Sequence, residues 1–149
     1  MATITTTKQR GDAAEDLALA HLEAAGLRLV TRNYRTPGRG GGEIDLIVED
    51  PRDPRDPTLV FVEVRQRAGA THGGAGGSIT HGKQRRVVFA ARHYLSGLRT
   101  LPPCRFDVVL IEAGTVSIVV DRTMKMTEAA AAHQLVQDSG HVGKVLLQV

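Results

Sequence analysis

The stretch LVFVEVRQR, residues 59–67, decides the fold because it begins as an apolar strand and ends in charges. Successive side chains of a strand point to opposite faces. One face therefore carries Leu59, Phe61, Glu63, Arg65 and Arg67, and the other carries Val60, Val62 and Val64. The first face begins apolar and ends in a carboxylate and two guanidiniums, so a buried strand would deliver Glu63 and Arg65 side by side at its end.

The segment before it, EIDLIVE at residues 43–49, has the same alternation. One face carries Ile44, Leu46 and Val48, and the other carries Glu43, Asp45, Ile47 and Glu49. Three prolines in DPRDPRDP, residues 50–57, then interrupt the chain, because proline fits neither a helix interior nor a central strand. Strand, turn and strand with such a connection predict an antiparallel pair.

Two helices and three further strands complete the predicted domain. Residues 12–25 predict a helix with an apolar stripe at Ala14, Leu17, Ala18, Leu22 and Ala25. Residues 83–98 predict a second helix, whose buried side consists of Val87, Val88, Ala91, Tyr94, Leu95 and Leu98. Strands are predicted at residues 27–34, 105–113 and 115–120. Residues 35–42 predict a loop, and the glycine-rich residues 67–82 predict a mobile one. The order α-β-β-β-α-β-β indicates an α/β or α+β domain with a mixed sheet.

The composition limits the classes of function. The chain has 149 residues, the size of one ordinary domain, and only 3% aromatic residues, which counts against single-strand binding by base stacking. The single cysteine, Cys104, excludes an intramolecular disulfide and a cysteine-based zinc site. There is no apolar signal core and no apolar run of transmembrane length, so we expect a cytoplasmic protein.

Residues 81–105 form a block of one charge sign. The block contains no Asp or Glu, and its cations are Lys83, Arg85, Arg86, Arg92, Arg99 and Arg105. Such a block attracts polyanions. A solvated helix face explains the same charges equally well.

Asp45 and Glu63 are the candidate chemical groups. In register, their carboxylates would bridge one cation, and Mg²⁺ usually needs only one or two protein carboxylates; the Val64 carbonyl could add a third oxygen. Arg65 on the same side could stabilise charge added during phosphodiester hydrolysis. The alternative is an ordinary ion pair of Glu63 with Arg65. A further acid near the apolar face of the first helix, Glu15, favours the site, because buried acids are costly without a metal or partners.

Four motifs in consistent order resemble the YraN-like family of small bacterial proteins. These motifs are GEIDLIVED, LVFVEVRQR, GKQRRVVFAARHYL and CRFDVVLI, and the resemblance runs over about residues 11–120. The family is similar to archaeal Holliday-junction resolvases and to the restriction-endonuclease-like fold with its Asp…(Asp/Glu)-x-Lys site. The resemblance implies that fold, a metal-dependent endonuclease acting on branched or structured DNA, one or two Mg²⁺ or Mn²⁺ ions, and a homodimer.

The resemblance also implies roles for individual residues. Asp45 and Glu63 match the two metal carboxylates, and Glu15 matches the acid that related resolvases place on their first helix. Glu43 belongs to the GEID run, where a supporting role and an exposed strand end are equally good interpretations. Nucleic-acid contact is assigned to the cations Arg67, Lys83, Arg85 and Arg86, with a solvated helix terminus as the alternative for Lys83.

Arg65 occupies the lysine position and departs from the pattern. Lysine can lose a proton and act as a base, whereas arginine stays protonated. Arg65 can still hold a phosphate and stabilise charge. The base would then have to be water activated by the metal, Glu15, or the substrate phosphate itself. A catalytically inactive nucleic-acid-binding accessory protein is therefore the alternative function.

The C-terminal segment has a different texture. TEAAAAHQLVQDSGHVGKVLLQV, residues 127–149, resembles the C-terminal helix and strand of medium-chain quinone oxidoreductases. The glycine runs GRGGGE and GGAGGS both miss G-x-G-x-x-G, so we expect no nicotinamide cofactor. We predict a nuclease-like core over residues 1–123 and a helix-strand extension over residues 124–149 with no independent function. Use of this extension as a protein-interaction module is a weaker third hypothesis.

Overall fold

A computed structural model describes residues 6–67, 81–112, 115–118, 122–125 and 145–148. The elements in chain order are α1 (Thr7–Ala24), β1 (Arg28–Arg35), β2 (Glu43–Asp50), β3 (Thr58–Arg67), α2 (His81–Ser96), β4 (Cys104–Glu112), β5 (Thr115–Ile118), β6 (Arg122–Lys125) and β7 (Val145–Gln148). The predicted order α-β-β-β-α-β-β is therefore confirmed, and β6 is an additional strand that the sequence did not predict.

Strands β1 to β5 form one mixed sheet in that spatial order. The β1–β2, β2–β3 and β4–β5 pairs are antiparallel, and the β3–β4 pair is parallel. A parallel pair needs a long crossover, and α2 lies within the connection from β3 to β4. The mixed sheet flanked by helices and the antiparallel pairing of β2 with β3 are both as predicted.

Each face of the sheet packs against one helix. The cluster on the α1 side consists of Ala14, Ala18, Leu22, Leu27, Leu46, Val48, Val60, Val62, Val109 and Ile111. The cluster on the α2 side consists of Ile44, Ile47, Leu59, Phe61, Val87, Ala90, Ala91 and Cys104. The central strand β3 is therefore buried on both faces, and its alternation assigns Leu59 and Phe61 to α2 and its valines to α1. Glu63 follows Phe61 on the face that α2 covers.

Both helices differ from the predicted ones in their exposed faces. Helix α1 begins earlier, because Thr6 and Gln9 form a reciprocal capping box, and ends before Gly26, whose φ of 91° suits glycine. Its buried stripe is narrower than predicted, since the side chain of Leu17 is exposed. Helix α2 buries Ala90, whereas Val88 and Leu98, predicted to be buried, are exposed.

Ile44 is the exception to the predicted alternation of β2. The prediction that it shares a face with Leu46 and Val48 is wrong, because it packs with Ile47 in the α2-side cluster. The β2–β3 ladder ends at the pair Leu46–Val62. Residues before Leu46 continue to pair with β1 but are no longer held by β3, so the face they present can change there.

The C-terminal part contributes a separate two-stranded sheet. Strands β6 and β7 pair in parallel, and β6 spans the predicted boundary at Thr123. The predicted strand at the C-terminus is present as β7. The predicted C-terminal helix and the glycine-rich segment at residues 68–80 lie outside the described residues. Within the described part of the chain, no helix has the length and apolar character needed to cross a membrane.

Candidate functional site

The site lies where strands β2 and β3 separate. Asp45 and Glu63 directly adjoin the last paired residues of the two strands. Beyond the last backbone pair, the Asp45 side chain links the two strands, because its Oδ2 accepts a hydrogen bond of 2.8 Å from the Val64 amide. The end of the ladder thus fixes one carboxylate beside the other.

Glu63 is a carboxylate that folding removes from water. Only 2% of the residue is exposed, and within the described part of the chain its buried Oε2 has no hydrogen-bond partner. Burial, and then the charge of Asp45, raises the pKa of Glu63 to about 7, against the opposing effects of Lys83 and Arg65. A buried acid that is only partly compensated favours a further cation at this position.

Two cations approach Glu63 from different elements. The Lys83 ammonium in the first turn of α2 lies 2.5 Å from Oε1, and Nε of Arg65 lies 4.0 Å from the same oxygen. Both side chains remain partly exposed, with 38% of Lys83 and 25% of Arg65 accessible. The ion pair with Arg65 that the sequence offered as an alternative therefore exists, but the shorter contact comes from Lys83, which the sequence did not pair with Glu63.

Glu15 approaches the site from α1. Its Oε2 accepts hydrogen bonds from Asn33 at 3.2 Å and from Arg32 at 3.5 Å. Burial and the charge of Asp45 raise the pKa of Glu15, which these two partners oppose. The charge of Asp45 therefore acts on both Glu15 and Glu63.

The acids fit a small hard cation through two carboxylates. Within the described ranges, no three side chains of His, Cys, Asp or Glu are grouped closely enough to hold a metal. Mg²⁺ needs only one or two protein carboxylates and keeps several waters. The buried, unbonded Oε2 of Glu63 and the neighbouring Asp45 meet that smaller requirement, whereas Glu15 is engaged with Arg32 and Asn33.

The remaining predicted residues have other contacts or are exposed. Glu43 is partly exposed and lies 3.6 Å from Nε of Arg35. Arg86 donates from Nε to the Gly41 carbonyl at 3.3 Å, and Arg85 is exposed on α2. Arg67 is the last residue of β3, and its side chain lies outside the described part.

A second charged cluster was missed in the sequence. Asp50 is 3% exposed and pairs with Arg52 and, at 2.7 Å, with Arg105, which also lies 3.3 Å from Asp107. Hydrogen bonds from Arg52, and then from Arg105, hold the pKa of Asp50 well below its usual range. The inclusion of Arg105 in a polyanion-attracting block is therefore wrong, because its charge is used inside the fold. The signal was present, since Asp50 continues the alternation of Leu46 and Val48.

Comparison with known proteins gives related sequences. Residues 14–111 match the family described as Uncharacterised protein family UPF0102. A UPF0102 protein of Albidiferax ferrireducens is 68% identical over 111 residues, covering 74% of this chain and 84% of that protein. One of Verminephrobacter eiseniae is 67% identical over 107 residues, covering 72% of each.

One solved structure with some similarity is that of MspJI restriction endonuclease in complex with a 27-mer oligonucleotide. The similarity covers 92% of this chain and 25% of that chain, with 15% identity and a TM-score of 0.31. The family match, in contrast, spans α1 to β4, and with them Glu15, Asp45, Glu63 and Lys83. The chain therefore belongs to UPF0102, the family of YraN-like proteins that its four motifs resemble.

Proposed function

We propose that this protein is a metal-dependent endonuclease acting on branched or structured duplex DNA. The observation that carries the proposal is the buried Glu63 carboxylate, which adjoins Asp45 at the point where two strands separate, with two cations beside it. Burying a carboxylate beside a second acid costs stability, so the placement of Glu63 next to Asp45 favours a chemical role over a structural one.

Asp45 and Glu63 are the residues that would hold Mg²⁺ or Mn²⁺. A bound ion would supply activation of water and screening of the phosphate charge. The Val64 amide keeps the Asp45 carboxylate in place through the 2.8 Å hydrogen bond, so one of the two ligands is oriented before any ion binds.

Arg65 and Lys83 divide the work that a single lysine performs in the implied Asp…(Asp/Glu)-x-Lys pattern. Arg65 keeps its charge and can bind a phosphate with two parallel hydrogen bonds. Lys83 reaches the same carboxylate from α2, and a lysine, unlike an arginine, can release a proton. Together they place two positive charges at Glu63, where a phosphate over the proposed metal site would lie.

Glu15 is the third acid of the proposed site. Because its pKa is raised by burial and by Asp45, it holds a proton more readily than an ordinary glutamate. We assign it a proton-transfer role near the attacking water. Arg32 and Asn33 orient it, so their loss would change its position as well as its proton affinity.

The substrate class rests on charge and on the family resemblance. Arg85 and Arg86 follow Lys83 on α2 and are exposed, so the helix presents cations next to the acids. Such an arrangement suits the phosphates of a duplex. The proposed selectivity for branched DNA rests on the resemblance of the family to junction resolvases.

Single-turnover cleavage of a labelled four-way junction, with Mg²⁺ or Mn²⁺, tests the proposal. Asp45→Asn should abolish cleavage while keeping an oxygen that can accept the Val64 hydrogen bond. The matched control is Asp53→Asn, since Asp53 is exposed in the loop between β2 and β3. A panel of junctions, flaps and plain duplexes left intact with either metal would contradict the proposal.

A second candidate function is DNA binding without turnover. Arg65 at the lysine position and the Lys83 ammonium placed on Glu63 both favour it, since an ion pair can satisfy Glu63 without a metal. This function predicts steeply salt-dependent binding that is the same in Mg²⁺ and in EDTA. Loss of binding in EDTA would exclude it.

A further inference from the structure

The loop between β1 and β2 lines an open polar cavity on the surface. Its volume is about 210 Å³, and its lining includes Arg35, Gly38, Gly40, Gly41, Glu43 and Arg86. The loop sequence TPGRGGG, residues 36–42, contributes glycine backbone to this space, and Arg35 of β1 and Arg86 of α2 add two guanidiniums. The proposed cleavage chemistry does not use this cavity.

The loop has a fixed shape. Thr36 is 8% exposed, its amide donates to the Gly42 carbonyl at 3.0 Å, and the Gly42 amide donates back to Oγ1 of Thr36 at 2.7 Å. Gly42 also lies against α2, since a Cβ at this position would be 1.9 Å from the carbonyl oxygen of Arg86. The cavity is thus lined by a loop of fixed shape that packs on α2 at Gly42.

The charge of the cavity suits an anion. The Arg86 guanidinium has five N–H donors, and its contact with Gly41 uses one of them. Nε of Arg35 lies 3.6 Å from Glu43, so the lining contains two guanidiniums and one carboxylate. Arginine donors match phosphate oxygens in geometry, and glycine lets the phosphate approach the backbone closely.

Both α2 and β2 connect the cavity to the proposed site, because each contributes a residue to the cavity and a residue to the site. Lys83, which contacts Glu63, and Arg86, which lines the cavity, are three residues apart on α2 and so share a side, about 4.5 Å apart along the axis. Glu43 and Asp45 are two residues apart on β2, or about 7 Å. The cavity and the proposed site are therefore adjacent along both α2 and β2.

We infer that the cavity of residues 35–43 and Arg86 is a binding site for a backbone phosphate of the bound nucleic acid. This phosphate neighbours, on the same DNA strand, the phosphate that would lie over Asp45 and Glu63. The inference rests on the proposed function for the identity of the ligand. It assigns the glycine-rich loop the task of setting where along the strand the substrate lies.

The test measures DNA binding at several salt concentrations, without cleavage, in EDTA and in Ca²⁺. Each phosphate contact removed should lower the slope of log K against log salt by about 1. Arg86→Gln and Arg35→Gln should each show this reduced slope, with roughly ten-fold weaker binding. Arg86→Lys should keep the wild-type slope, which a purely structural role for Arg86 would not predict.

Arg28→Gln is the matched control. Arg28 is an exposed arginine on β1 that pairs with Glu49, at the end of β2 far from Asp45. Its substitution changes the net charge equally and should leave the slope unchanged. Thermal unfolding of each variant checks that the loop substitutions leave the fold intact.

The outcomes separate this inference from the proposed function. Equal slopes for Arg86→Gln, Arg35→Gln and Arg28→Gln would overturn the inference even if the junction is cleaved. Reduced slopes in the two cavity variants alone would support it even if no substrate is cleaved. A wild-type protein that binds no DNA would overturn both.

Discussion

Replacing Glu63 by glutamine should make the metal-free protein more stable at alkaline pH. The pKa of Glu63 is raised from 4.5 to about 7, so the folded state keeps a proton that the unfolded state has already released between these values. The free energy of unfolding therefore falls as the pH rises through this window. Each pKa unit is worth about 1.4 kcal/mol, so the wild type should lose about 2–3 kcal/mol between about pH 5 and pH 8 on account of this group.

Glutamine resembles the protonated glutamate and has no charge to bury. The difference in unfolding free energy between Glu63→Gln and wild type should therefore grow by about 2–3 kcal/mol over the same range. Urea unfolding in EDTA at a series of pH values gives this difference. Glu23→Gln is the control, because Glu23 is exposed on α1 and its substitution makes the same chemical change outside the site.

Two results would refute the reasoning. Parallel unfolding free energies of Glu63→Gln and wild type across the range would mean that Lys83 and Arg65 compensate the buried charge completely. A difference that grows equally in the Glu23→Gln control would place the effect elsewhere. In a further arm, Mg²⁺ at alkaline pH should raise the melting temperature of wild type and not that of Glu63→Gln, because the ion binds the deprotonated carboxylate.

Three further predictions concern catalysis, close packing and the second charged cluster. In single-turnover cleavage, Arg65→Ala should slow the reaction by about a hundred- to thousand-fold while DNA binding persists. Arg65→Lys should retain or raise the cleavage rate. If Arg65→Ala cleaves at the wild-type rate, Arg65 has only the ion-pair role with Glu63. In thermal unfolding, Gly42→Ala should destabilise by about 3 kcal/mol because its Cβ would collide with α2, whereas Gly11→Ala, with no atom within 4 Å, should stabilise α1 by about 0.5–1 kcal/mol. Arg105→Gln should lower the free energy of unfolding in urea at neutral pH by about 3–5 kcal/mol, because the buried carboxylates of Asp50 and Asp107 lose a positive charge beside them. A loss below about 1 kcal/mol would show that the cluster is solvated.

Local pattern was sufficient for the two helices and for the five strands of the main sheet. The alternation of residues 59–67 has a period of two, and that alone places Glu63 and Arg65 on one face of a strand. The prolines at residues 51–57 end β2 before β3 begins, so the pairing of these two strands was also accessible. Asp45 and Glu63 were therefore predicted as neighbours, and the structure has them adjoining the same ladder end.

The partners across longer distances were not accessible. Lys83 is twenty residues from Glu63 along the chain, and only the packing of α2 on the sheet brings its ammonium to 2.5 Å from the carboxylate. Arg105 was grouped with surface cations because residues 81–105 contain no Asp or Glu, whereas in the structure it pairs with Asp50 of β2 and with Asp107 of its own strand. Charge sign is readable in a sequence, but the partner of a charge depends on which elements meet.

The sequence by itself determined the order of strands and helices, the acids at the end of β3 and the family, because each depends on residues that are close in the chain. Tertiary structure decided which cation contacts Glu63 and that Ile44 packs on the α2 side of the sheet. It also decided that the glycine-rich loop lines a cavity together with Arg86 of α2. These features depend on where one ladder stops and another element packs, and the energy of such contacts is set by burial. The pKa of Glu63 near 7 is the clearest case, since the same glutamate on an exposed strand would have an ordinary one.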